Sequence, residues 1–366
     1  MTLLFSLLLA QGTPGAPPSA GRGAQPITPD VSANAQSPRW SPDGASLSYE
    51  LNFHEKKLVQ TWVYRPGQEP IQVQPRASSG SSMTAGFQTS GAEQVVHELD
   101  WSPASLGAVV YSASGADRDY ELYLAQADTL LGGSPIAPSP GADGGARFSP
   151  DGNWIAFSSA RSGQGDIYLL SVAHLEQPPK RISTDTQASE LYLSWSGDGK
   201  RLAWVGHSPK GDSIYVVDDL LRPKPRVLVQ LGQTQTRPSF SPDGQSMAFY
   251  SNHQQPERFD LLVQGPSGAP RVLAEGVVLN HDGPSWSPDG QHIVFVADDD
   301  AAFDPVLSVS SLGGEPVLVD TRTVGNSDLD LTQGTDGQLY LALSAQGRRS
   351  DPVRDYKRLY VMALDL

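Results

Sequence analysis

The segment Arg147-Phe148-Ser149-Pro150-Asp151-Gly152-Asn153-Trp154-Ile155-Ala156-Phe157-Ser158 constrains the fold more than any other, because the chain repeats it. It reads as a strand, a tight turn and a second strand. Proline pre-sets φ at the first corner, aspartate caps the turn with its carboxylate, and glycine takes the position with φ > 0. The aromatic before the turn recurs at Trp40, Trp101, Phe148, Trp195, Phe240 and Trp286, with Leu331 as a weaker seventh anchor, so the intervals are 61, 47, 47, 45, 46 and 45 residues. Ser-Pro-Asp-Gly follows Trp40, Phe148, Phe240 and Trp286, and Ser-Gly-Asp-Gly follows Trp195. After Trp101 and Leu331 the turn has decayed.

Fixed self-similarity at this period marks propeller blades or solenoid units. Each unit shows strand-type alternation and no helical stripe, which selects the propeller. A length of 366 residues suits seven blades, and the 30 prolines and 36 glycines fit a chain with many turns.

The two ends supply the closure. Ile182, Val227, Leu273 and Leu318 each stand 13 residues before the next anchor and mark outermost strands; Ile27 stands 13 before Trp40. The chain therefore starts with an outer strand that has no blade of its own, and the last unit, ending in the strand Lys357–Ala363, lacks one. We expect an all-β, seven-bladed propeller of four-stranded antiparallel blades, with the N-terminal strand placed beside that of Tyr360. Six blades with a stray hairpin is the alternative. The third strands share an Ile/Leu-Tyr-Val/Leu core around Tyr123, Tyr168, Tyr215 and Tyr360, read as packing between blades.

Residues 1–25 read as a signal peptide and disordered linker, and 26–366 as one propeller domain. Met1–Ala10 is a short apolar run, far below the ~20 residues of a membrane span. No integral membrane span is expected, and the localisation expected is periplasmic or secreted. There is no cysteine, which excludes disulfides and thiol chemistry. A net charge of −14 argues against nucleic acid as a partner. Gln74–Gln94 and Ser344–Asp355 interrupt the period as loops, the second carrying Arg348, Arg349 and Arg354.

The Trp/Phe-Ser-Pro-Asp-Gly turn, the run Ile155–Gly163 and the strand Asp166–Leu170 resemble the propeller repeat of the TolB family. A similar repeat occurs in the propellers of prolyl-oligopeptidase-type peptidases and some polysaccharide lyases. The resemblance covers about residues 26–366 and implies the fold; a repeat made of a turn and a core implies no site. TolB has a small α/β domain before six blades, whereas a low-complexity stretch precedes the first repeat here. No Gly-x-Ser-x-Gly nucleophile motif is present, so a peptidase reading is not supported.

Residues four to six before each anchor should approach one rim of the axial channel. The candidates are Gln36, His97, Asp143, Glu190, Gln235, His281 and Asp282, with Asp328 one position nearer its anchor. A wet polar channel is the expectation, with no cofactor; the alternative is a divalent cation such as Ca2+ or Mn2+ near His97 and His281. The favoured function is an exported, monomeric, non-enzymatic propeller that binds a protein or peptide of the cell envelope. The alternatives are a metal-dependent lyase or hydrolase acting on a polysaccharide at the channel, and a cytosolic scaffold that retains its N-terminal run.

Overall fold

The computed structural model describes residues 23–28, 31–75, 95–114, 119–183, 188–298, 304–348, 350 and 355–364. Seven antiparallel sheets follow one another along the chain. Blade one comprises Asn34–Trp40, Leu47–Phe53, Leu58–Tyr64 and Ile71–Gln72, running from the inner to the outer strand. Blades two to five repeat this order, with inner strands Val96–Trp101, Asp143–Phe148, Ser189–Trp195 and Gln235–Phe240. In blade six the inner strand is split into Val277–Val278 and Ser285–Trp286, both paired with His292–Ala297. Blade seven has Ser327–Gln333, Leu339–Ala345 and Arg358–Leu364, and its outer strand is Gln25–Pro26.

That last pairing closes the ring as the repeat offset predicts. Pro26 lies opposite Tyr360 and Gln25 opposite Val361. The Ile27 N–H donates to the Leu359 carbonyl at 2.9 Å, and the Leu359 N–H donates to Thr28 Oγ1 at 3.0 Å. Closure across the first and last parts of the chain covers part of the edge of Arg358–Leu364, so that blade seven ends, like the other blades, in a short outer strand.

The core lies between blades. Second strands are buried on both faces, so they read as nearly continuous apolar runs such as Leu202-Ala203-Trp204-Val205. The two-residue pleat sends alternate side chains to opposite neighbours. Leu202 and Trp204 join the cluster with Ile167 and Leu169 of blade three, while Ala203 and Val205 join Phe240 and Phe249 of blade five. Ile293 and Phe295 likewise face blade five, and Val294 and Val296 face blade seven. Seven such clusters link the blades around the ring, one of them joining blade seven to blade one through Tyr340, Ala342, Trp40 and Tyr49. Each fully buried Leu, Ile or Phe contributes roughly 1.5–3 kcal/mol. The third-strand tyrosines sit in these clusters, and within a blade they stack on the second strand: Tyr123 on Tyr111, Tyr168 on Phe157 and Tyr215 on Trp204, at 5.7, 5.9 and 6.0 Å between rings.

The repeated turns are built alike. In blade three, Ser149 Oγ donates to Asp151 Oδ1 at 2.6 Å, and the Asn153 N–H donates to the same oxygen at 3.1 Å. Gly152 has φ 73°, which glycine adopts without a Cβ clash. Hydrogen bonds from the turn serine and backbone hold the carboxyls of Asp198, Asp243 and Asp289 below their ordinary values. These aspartates are architecture.

Three expectations need correction. Gln74–Pro75 is not loop: it pairs in parallel with Leu131–Ile136 as a fifth strand of blade two, seated by the buried Val73. The Ser344–Asp355 interruption begins later than expected, because Ser344 and Ala345 complete a strand and Gly347–Arg348 pairs with Thr323–Val324. In blade seven the turn falls at Gly334–Gly337, two residues beyond the position that the Leu331 anchor implies, since Gln333 still pairs with Leu339. Residues 1–22, 76–94, Arg349 and Arg354 lie outside the described residues, and so do the expectations placed on them.

Candidate functional site: the axial cavity

Each inner strand runs from the open rim to the repeated turn and is interrupted once. The residue three before the anchor has positive φ in every blade: Ser37 (51°), Glu98 (55°), Gly145 (62°), Tyr192 (56°), Arg237 (53°), Gly283 (100°) and Asp328 (33°). The pairing register shifts at this point in six blades. In blade six the bulge has grown into the stretch 279–284 that splits the strand. A bulge inserts one unpaired residue and re-aims its neighbours. Strict alternation therefore fails at the level where the strands face the axis.

Beyond the bulge, the residue before each anchor points to the channel: Arg39, Asp100, Arg147, Ser194, Ser239, Ser285 and Asp330, each bordering the same cavity of about 1050 Å³. These residues also couple the blades. The Phe148 N–H donates to Asp100 Oδ2 at 2.7 Å, the Trp40 N–H to Asp330 Oδ2 at 2.6 Å and the Phe240 N–H to Ser194 Oγ at 3.1 Å. From the intervening blades, the indole N–H groups of Trp101, Trp195 and Trp286 donate to the carbonyls of Arg39, Arg147 and Ser239 at 3.2, 3.2 and 3.1 Å.

An ion network spans the axis. Arg39 meets Asp100 at 2.9 Å and Asp282 at 2.7 Å, and Arg147 meets the same Asp282 oxygen at 2.9 Å. Burial by itself would raise the Asp282 carboxyl, but the Arg39 guanidinium and then His281 and Arg147 hold it well below the usual range. Burial works against the Arg39 charge, and the carboxylates of Asp282, Asp100 and Asp330 outweigh it, so its pKa is raised. Asp330, buried and close to the charge of Asp282, is pushed up to about 7.

The structure sorts the eight candidates. Gln36, His97, Asp143, His281 and Asp282 border the cavity; Glu190, Gln235 and Asp328 do not. Gln36 and His97 converge on the buried Glu50 of the second strand, at 3.1 and 3.3 Å, where the Glu98 N–H also donates at 3.0 Å. Burial would raise the Glu50 carboxyl, and these contacts, His97 foremost, bring it below its ordinary value. Asp143 is paired with Arg161 at 3.0 Å. Glu190 accepts from the Trp204 indole at 3.1 Å, and burial lifts its carboxyl to about 7. Gln235 staples its own loop through the Leu231 N–H and the Gln233 carbonyl. Asp328 accepts from the His281 N–H at 3.0 Å, and Asn280 holds the enlarged blade-six bulge to Leu329. Among the described residues, no three His, Asp or Glu side chains are grouped to hold a metal ion.

Reading the sequence missed Arg39, Glu50, Arg147, Tyr192, Arg237 and Asp330, and noted Glu98 and Asp100 only as acids beside His97. The available signal was a charged residue directly before four of the seven anchors. The cavity is two-sided. Blades one and two contribute Glu50, Glu98 and Asp100, while blades four to six contribute Leu191, Tyr192, Pro238 and Pro284. Arg237 lies over the Tyr192 ring at 5.4 Å, and Leu191 and Tyr192 are each 42% exposed.

The profile of the lipoprotein LpqB β-propeller domain matches residues 211–333, from the third strand of blade four to the inner strand of blade seven. TolB from Acinetobacter baumannii superposes with a TM-score of 0.51 at 18% identity, over 80% of this chain and 65% of its own. The chain has a propeller fold similar to that of TolB. The TolB-like fold also superposes on a puromycin-hydrolysing peptidase from Mycobacterium tuberculosis, with a TM-score of 0.63 at 14% identity over 91% of this chain and 52% of the peptidase. It thus spans about two thirds of that TolB and half of that peptidase. No curated protein sequence matches this chain. Among the described residues, no helix is long and apolar enough to cross a membrane.

Proposed function

We propose that this chain is an exported propeller of the cell envelope that binds a protein or peptide partner at the open mouth of its axial cavity. The observation that carries this reading is the lining of that cavity. Its charges at the axis are engaged with one another, while Leu191 and Tyr192 remain exposed beside them. Concave sites with an apolar wall and a few fixed polar groups suit ligand recognition. Exposed aromatics beside arginine are the residue types that dominate binding energy at interfaces. Export is supported by the apolar run Met1–Ala10 and by the match to the propeller domain of a lipoprotein.

Photo-crosslinking in the producing cell tests the reading. An adduct formed from position 191 but not from the more exposed Leu312 on blade six supports it. Adducts from both positions, or from Leu312 alone, contradict it. Sequencing the mature N-terminus tests export separately: a chain that retains Met1–Ala10 in the cytosol contradicts the localisation.

A further inference from the structure

We propose that the axial cavity holds a subsite for a primary ammonium group, formed by Glu98 and Ser112 in a notch facing Gly144. An apolar neighbour of that ammonium rests on Leu191 and Tyr192. This rests on the peptide-binding reading above and adds the chemistry that the peptide must offer.

Three independent features converge on the notch. Glu98 occupies the bulge of blade two, and its Oε2 accepts a hydrogen bond from the Gly145 N–H at 2.6 Å. Among the described residues no cation pairs with it, whereas Arg39 and Arg147 are committed to Asp100 and Asp282. Ser112, on the second strand opposite His97, is 2% exposed, borders the cavity, and its Oγ has no hydrogen-bond partner. A buried hydroxyl left unsatisfied calls for an occupant that can meet it. Gly144 provides the space: a Cβ there would stand 3.2 Å from Glu98 Oε2 and 3.9 Å from Ser112 Oγ. At the same place relative to the anchor, the other blades carry Gln36, His97, Leu191, Thr236, Asp282 and Ser327.

A carboxylate and a hydroxyl across a small gap accept from a compact donor with several N–H groups. An ammonium is compact and carries three such donors, while a guanidinium is a wide planar fork. The buried Glu50 carboxylate and the rings of His97 and Tyr120, 5.7 Å apart, lie on the same side of the cavity and add negative potential and bulk. The chemistry is shared by a peptide N-terminus and a lysine side chain.

The test uses the full chain and three probes: the tripeptide amide Leu-Phe-Ala with a free N-terminus, its N-acetyl form, and N-acetyl-Lys-Phe-Ala amide. Calorimetric titration should show at least one ammonium probe binding roughly tenfold or more tighter than acetyl-Leu-Phe-Ala. The free-terminus probe alone would assign the site to chain ends, and the lysine probe alone to internal lysines. Glu98→Gln retains an acceptor for the Gly145 N–H, and Ser112→Ala leaves the backbone unchanged. Both should keep the wild-type melting temperature and erase the preference, as should Gly144→Ala by filling the notch. A preference that survives Glu98→Gln and Ser112→Ala overturns the subsite. So does failure of both ammonium probes to bind; the crosslink from position 191 would then still decide the peptide-binding reading by itself.

Discussion

Arg39 Nη2 lies 2.7 Å from Asp282 Oδ1, although one residue belongs to blade one and the other to the enlarged bulge of blade six. With Arg147 of blade three on the same oxygen, the carboxylate joins three blades that are not sequence neighbours. Asp282→Asn leaves two arginines facing an uncharged amide. It should lower stability by about 1–3 kcal/mol, the cost of breaking a partly buried ionic pair. Asp218→Asn, which removes the exposed Arg226 pair, should change urea unfolding by less than about 0.5 kcal/mol. Equal effects would place the network outside the stability of the ring.

The carboxyls of Glu190 and Asp330 are both raised to about 7, with burial the largest cause. A raised carboxyl binds its proton more tightly folded than unfolded, so its contribution is most favourable below the unfolded value near 4 and is lost as pH climbs towards 7. Glu190→Gln keeps an oxygen for the Trp204 indole and removes this titration. The stability of the wild type relative to the variant should fall between pH 4.5 and 7, by at most about 1.4 kcal/mol per pH unit. Parallel stability profiles across this range, read from urea unfolding, would contradict the assignment.

The bulge tolerates different residues in different blades for a steric reason. Gly283 has φ 100°, and a Cβ there would sit 2.8 Å from the Arg237 carbonyl oxygen. Gly283→Ala should cost about 2–3 kcal/mol. Gly145 has φ 62° with open space around it. Gly145→Asn should cost less than about 1 kcal/mol, because Asn enters this backbone region readily. Thermal melts of the two variants decide the point, and similar losses would show that the bulges are not individually constrained.

Ring closure depends on few bonds. Ile27→Pro removes the donor to the Leu359 carbonyl, a bond of 2.9 Å, and should cost about 1–3 kcal/mol. It should also raise self-association in gel filtration by freeing an edge of blade seven. An unchanged melt and elution profile would show that the clasp is dispensable.

The ring was legible in the sequence because anchor, turn and outer-strand offset are local signals repeated many times. Trp40, Phe148 and Trp195 announce their blades, and Ile27 announces the closure, without any long-range information. The axial site was legible only in part. The bulge adds a residue with positive φ before each anchor and shifts the alternation, so Glu98 and Tyr192 could not be assigned a face from period-two reasoning. Glu190 and Asp143 lie at the expected depth, but their partners Trp204 and Arg161 come from the second strand and the turn after it, and turn them into structural contacts. Asp282 was placed at the rim, while its pairing with Arg39 and Arg147 needed the ring to bring blades one, three and six together.

The most direct test of the account is the affinity of the purified chain for whatever partner is crosslinked at position 191, compared with that of Tyr192→Asp. Aspartate suits the positive φ of 56° at this site and removes the exposed ring that Arg237 covers. The account predicts a loss of at least about tenfold, in keeping with removal of a central aromatic contact. An affinity unchanged by this substitution would contradict binding at the axial cavity.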